Sequence, residues 1–179
     1  MKRYALTAVG RDRPGIVAAV TKALYEHDCN IEDSSMTILE DEFAIILVMT
    51  MPEKGDVASL EKAMKDVEKK TGLFINLKEI PAPSAAAPTK SNYIITLHGA
   101  DKAGIVYRTS KTLADLGVNI TDLETKAIRS GDEKAYMMVL EVFSPEKVEI
   151  KELEKQLKEL EKSLGVTIRI KPVEEYEPL

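Results

Sequence analysis

GRDRPGIV, Gly10 to Val17, follows the apolar run RYALTAV and precedes an amphipathic stretch, and a relative, GADKAGIV, returns at Gly99 to Val106. An acid, a glycine and two branched aliphatics at the junction of an extended run and a helical one mark a strand-to-helix loop, and here it occurs twice. Sliding the chain on itself so that Tyr4 lies on Tyr93 superposes Tyr4–Asp33 on Tyr93–Asp122 with 12 identities in 30. The chain is therefore an internal duplication, and each copy is one folding unit.

Outward from the loop, the first copy reads as a strand, RYALTAV, then a helix over 14–27 with Ile16, Val17, Val20 and Leu24 on one face. IEDSSMTIL and FAIILVM are extended runs joined by a polar turn at Glu40–Glu42, a hairpin. Val57, Leu60, Met64 and Val67 mark a second amphipathic helix, stopped by Gly72, and LFINLKEI is a last strand. The second copy repeats the order. Its FAIILVM equivalent is set at AYMMVLE, after an insertion of three residues, and its second helix carries Ile150, Leu153, Leu157, Leu160 and Leu164 before Gly165 and VTIRIKPV. The order βαββαβ, twice, predicts an α+β protein of two ferredoxin-like units, each an antiparallel sheet with two helices on one face. The boundaries fall at 1–80 and 91–179, joined by the proline- and alanine-rich linker PAPSAAAPTK at 81–90. FAIILVM is apolar at successive positions, which suggests burial of both its sides, by packing of sheets or sheet edges between units or chains; the plainer reading is a central strand whose outer face merely tolerates apolar residues.

Composition narrows the function. A formal net charge of −5 and a pI near 5.3 supply no basic field for a nucleic-acid backbone, so direct nucleic-acid binding is not expected. Cys29 is the only cysteine and His27 and His98 the only histidines, too few for a disulfide framework or a zinc site, and no metal or cofactor is expected. The N-terminus lacks the apolar core of a signal peptide and no run is long enough to cross a bilayer, which points to a cytoplasmic protein without membrane contact.

GRDRPGIVAAVTKALYEHDCNI resembles the opening of an ACT domain, whose first loop commonly reads D-x-P-G-[VIL] and whose helix is followed by N-I. GADKAGIVYRTSKTLADLGVNI matches it with Ala103 in place of the proline. Two such units fill nearly the whole chain, an arrangement similar to stand-alone tandem ACT regulators of the glycine cleavage repressor kind. The resemblance implies a small amino acid bound at interfaces between paired domains, a homo-oligomer, here a dimer, and a protein partner that receives the signal. It implies no catalysis. The other βαββαβ proteins fit less well: a copper chaperone needs a C-x-x-C, an RNA-recognition module needs stacking aromatics, and an acylphosphatase needs its loop arginine in a setting that Ala100 and Lys102 do not repeat.

A helix start carries unpaired N–H groups and partial positive charge, which suits a carboxylate. Gly15 and Gly104 allow close approach, and Asp12 and Asp101 can attract an ammonium group or cap the helix. The resemblance extends the candidate ligand-binding set through Pro14, Ile16 and Ile105 to Asn30, Ile31, Asn119 and Ile120 after the helix. Each has a plainer role open to it. The aspartates can be N-caps, the glycines can permit tight loop packing, the asparagines can turn the chain in a left-handed conformation, and the isoleucines can be core. A ligand-free interaction module remains the alternative function.

Overall fold

In the computed structural model, residues 1–82, 90–130 and 133–173 are described. The chain forms two compact units, Met1–Ala85 and Ala86–Leu179. Most of the expected linker lies outside the described residues. The first unit runs β1 (Lys2–Arg11), α1 (Ile16–Tyr25), β2 (Asn30–Leu39), β3 (Glu42–Met51), α2 (Val57–Thr71), β4 (Phe74–Ile80). The second repeats it as β5 (Tyr93–Ala100), α3 (Ile105–Asp115), β6 (Asn119–Ser130), β7 (Glu133–Phe143), α4 (Ile150–Leu164), β8 (Val166–Pro172). Each sheet is antiparallel, ordered β2-β3-β1-β4 and β6-β7-β5-β8. These are two ferredoxin-like units.

Alternation explains which face is covered. In the first unit Tyr4, Leu6 and Ala8 of β1 and Phe43, Ile45, Leu47 and Met49 of β3 are buried against Ile16, Val20 and Leu24 of α1 and Leu60, Met64 and Val67 of α2. The second core is built alike from Ile95, Leu97, Met138, Leu140 and Val142 under Ile105, Leu113, Leu153, Leu157 and Leu160. Burial of both sides of FAIILVM does not follow within the unit: on the outer face Ile46 is 48% exposed, as are Val9 at 46% and Phe74 at 69%.

The pairing corrects the alignment of the third strands. Gly10 lies opposite Phe43 and Gly99 opposite Tyr136, so FAIILVM corresponds to YMMVLEV and the insertion is four residues, not three. A slip of one residue on a strand exchanges its faces. With the right register, buried Leu47 matches buried Leu140 and exposed Ile46 matches Val139, not Met138.

Both hairpin edge strands carry a bulge at the same place, between Ile31 and Asp33 and between Ile120 and Asp122. In the first, the bulged Glu32 carboxylate accepts from Arg3 Nε at 3.0 Å, and another nitrogen of that guanidinium donates to the Pro81 carbonyl at 3.1 Å. At the opposite edge of each sheet a helix carboxylate takes a strand N–H: Ile75 donates to Glu68 at 2.7 Å and Ile168 to Glu161 at 2.6 Å. The Ile75 N–H, then the Lys65 ammonium, hold the Glu68 carboxyl below its ordinary pKa.

Candidate functional site

The entrance to α1 is shaped by backbone conformation. Gly15 sits at φ 92°, ψ −6° and Gly104 at φ 91°, ψ 0°, the values of the third residue of a type II turn, where a side chain is strained. Pro14 and Ala103 occupy the preceding position, which favours proline but accepts alanine, so the two loops have the same shape despite the substitution. Pro14 lies before the N-cap, outside the first helical turn. A Cβ added to either glycine would meet nothing within 4 Å, so open space, not tight packing, surrounds them. In these loops the close contacts fall instead on the glycines near the strand ends, Gly10 against Leu73 and Gly99 against Val166.

Neither helix start receives a side-chain cap, so Asp12 and Asp101 do not act as N-caps. Both are exposed. The N–H of Asp12 instead donates to the Asp41 carbonyl at 2.8 Å, tying the loop to the hairpin turn. The result in each unit is an uncapped helix start with, a few residues before it, an aspartate whose carboxylate makes no ion pair among the described residues. Behind the loop, Ile16 and Ile105 are buried, 3% and 2% exposed, and anchor the first turn as core residues.

The basic residue between acid and glycine has a role that the sequence reading missed. Arg13 donates to the Lys70 carbonyl at 2.8 Å, and Lys102 Nζ donates to the Leu164 carbonyl at 3.1 Å. Each therefore binds the carbonyl end of the second helix, where the helix dipole favours a cation. The signal was present: the same loop position is basic in both copies, and each second helix ends at a left-handed glycine, Gly72 or Gly165.

The remaining candidates lie elsewhere. Asn30 and Asn119 are exposed and extended, the first residues of β2 and β6. The left-handed turn that was the plainer role open to them is made two residues earlier, by Asp28 at φ 54° and Gly117 at φ 74°. Ile31 is 37% exposed, and Ile120 packs partly against the second core. The ten residues of α1 rise about 15 Å at 1.5 Å each, so Asn30 and Ile31 stand at the opposite end of the helix from Gly15. A single unit does not bring the two halves of the candidate set together.

The other reactive side chains are engaged or quiet. His27 bridges the helices, its Nδ1 donating to the Ala23 carbonyl at 2.8 Å and its Nε2 lying 3.1 Å from Ser59 Oγ. Burial, then the Asp28 carboxylate, raises the Cys29 thiol above its ordinary pKa, away from a reactive thiolate. Among the described residues no group of His, Cys, Asp and Glu could hold a metal ion, and no helix is long and apolar enough to cross a membrane.

Comparison with known proteins follows the duplication. The ACT domain family matches residues 4–78 and 92–171. A UPF0237 protein of Methanopyrus kandleri is 44% identical over 69 residues, 38% of this chain and 74% of that protein. The glycine cleavage system transcriptional repressor of Escherichia coli is 25% identical over 157 residues, 87% of this chain and 82% of the repressor. Among solved structures, an unknown protein from Galdieria sulphuraria superposes with a TM-score of 0.79 at 28% identity, over 96% of this chain and 98% of that one. With both repeats matched and their βαββαβ order observed, the chain belongs to the ACT domain family, as a tandem member that resembles the glycine cleavage repressor.

Proposed function

We propose that this protein is an amino-acid-sensing regulator, not an enzyme, that binds a small amino acid between paired units and passes its occupancy to a protein partner. Control of glycine cleavage or of related amino-acid metabolism is the setting suggested by the similarity to the repressor. The observation that carries the reading is the repeated helix entrance, open and uncapped at both Gly15 and Gly104, with an exposed aspartate beside each. The ligand carboxylate sits on the free N–H groups of the first turn and its ammonium faces Asp12 or Asp101. Asn30 or Asn119 joins from a neighbouring unit, since its own unit holds it at the far end of the helix. The exposed edge strand β2 supports association as a homodimer, and the setting is the cytoplasm.

Two or three charge-assisted hydrogen bonds of about 1.5–3 kcal/mol each, against an association cost of several kcal/mol, give micromolar to millimolar affinity. Occupancy acts by favouring the arrangement of units that binds the ligand better. The test is a melting screen of the full chain against the natural amino acids, with the double variant Gly15→Leu, Gly104→Leu as control. Left-handed backbone costs a leucine about 1–2 kcal/mol per site and its Cβ meets nothing within 4 Å, so a folded variant is expected, which its own cooperative melting transition checks. The expected result is a melting temperature that rises with one small amino acid in the wild type and is flat in the variant. A flat response in the wild type refutes sensing and favours the ligand-free interaction module.

A further inference from the structure

The two outer edges made by β4 and β8 differ in what they leave unpaired. Ile75 gives its N–H to Glu68 and so faces away from β1; alternation puts Leu77 and Glu79 on the same outward side. β4 is an edge strand, and among the described residues no partner reaches the N–H of Leu77 or of Glu79. Alongside it runs a groove of ≈ 290 Å³, formed with α2 by Glu61, Met64 and Lys65 together with Ile75 and Leu77. Its floor is apolar: Met64 and Ile75 are buried and Leu77 is half-buried. At its rim Lys65 pairs with Glu68 at 2.9 Å, while Glu61 forms no ion pair among the described residues.

The second unit has the same groove, lined by Glu154, Leu157, Lys158, Ile168 and Ile170, but of ≈ 130 Å³. Its outward strand position matching Glu79 is Pro172, which has no N–H to offer. A proline on an edge is a common device against strand pairing. In the second unit only the Ile170 N–H is then left facing outward, where the first unit keeps those of both Leu77 and Glu79. The larger groove is still at the low end of small-molecule sites, whereas the unpaired backbone, apolar floor and unmatched carboxylate suit a strand with alternating side chains.

We infer that the α2/β4 edge of the first unit is a docking site for an extended peptide segment of another protein. The segment adds as a short strand along Leu77–Glu79, sets an apolar side chain on Met64, Ile75 and Leu77, and places a lysine or arginine against Glu61. Glu68 ends the ladder by holding the Ile75 N–H. This does not rest on the amino-acid reading, and it uses none of the helix-entrance residues.

The test uses the full chain and a fluorescein-labelled short peptide of alternating valine and lysine, with a control N-methylated at the amides that would pair. Anisotropy gives affinity and backbone amide shifts give location. Expected are saturable binding with shifts centred on Leu77 and Glu79, and affinity lower by about tenfold or more for the N-methylated peptide and for Glu61→Lys. A valine–glutamate peptide binds Glu61→Lys better than it binds the wild type. The inference is overturned by no saturation at about 1 mM peptide, by equal binding of the N-methylated control, or by shifts confined to β2 or to the Gly15 and Gly104 loops. Dilution-dependent shifts at Leu77 and Glu79 without peptide also overturn it, because the occupant is then a second copy of this chain.

Discussion

Thr109→Val stabilises the second unit. Thr109 is 0% exposed in α3 and its Oγ1 has no hydrogen-bond partner among the described residues, whereas the matching residue of the first repeat is Val20, 1% exposed. Valine has nearly the shape of threonine and a comparable helix propensity, so the exchange chiefly removes a buried hydroxyl and adds a methyl group. A buried hydroxyl without a partner costs about 1–3 kcal/mol in proteins; we expect Thr109→Val to recover about 1–2 kcal/mol of this. In a unit of this size each kcal/mol moves the midpoint by about 4–8 °C. Calorimetry reads the midpoint, and amide hydrogen exchange of Leu113 and Leu157 against Leu6 and Leu60 assigns the gain to the second unit. The reverse exchange, Val20→Thr, destabilises the first by a similar amount. Unchanged or lowered stability in Thr109→Val refutes the reasoning, since it means the hydroxyl has a partner in solution, such as the Ile105 carbonyl one turn earlier.

Gly99→Ala lowers stability by about 1–3 kcal/mol, because its Cβ would lie 2.8 Å from Val166 Cγ1 and 3.1 Å from the Val166 backbone; Gly10→Ala, at 3.1 Å from a Leu73 methyl, costs less, and urea titration ranks them. Glu68→Gln flattens the acid limb of stability. The folded carboxyl titrates below its unfolded value, so its contribution is present above the unfolded pKa and is lost as pH falls through the lowered folded one; urea midpoints measured from pH 6 to 3 should fall more steeply in the wild type. Arg13→Met removes the bond to the Lys70 carbonyl and costs about 0.5–1 kcal/mol, read as earlier exchange of the last amides of α2.

The fold was legible because its signals are periodic and doubled. Helical spacing at Val57, Leu60, Met64 and Val67, with Gly72 behind them, placed α2, and the repeat placed its twin. What failed were matters of one or two residues. The helix expected over 14–27 begins at Ile16, since Pro14–Gly15 is itself a turn signature, and the third strands differ from the expected alignment by one residue because FAIILVM is apolar throughout and carries no alternation to match to the one polar position, Glu141, of YMMVLEV. The turning role open to Asn30 and Asn119 falls instead to a left-handed residue, Asp28 or Gly117, that is not of one type and so gives no shared signal in the two copies. Of the candidate site, the geometry at Gly15 could be read from Pro14–Gly15, and that at Gly104, which follows Ala103, only through the repeat. The separation of Asn30 from Gly15 by the length of a helix could have been read too, from element order, and it is the fact that makes a second unit necessary to the proposed site.

Arg3 has one further consequence. Its single guanidinium grips the bulge of the outermost strand on one side and the chain leaving the sheet at Pro81 on the other. Tension applied at that rim is therefore delivered to the point of departure without passing through the core. Asn92, the matching residue in the second repeat, spends its amide on the backbone of Ser144. Among the described residues, the first of the two repeats alone is rigged so that a pull at its margin is felt where the chain leaves the sheet.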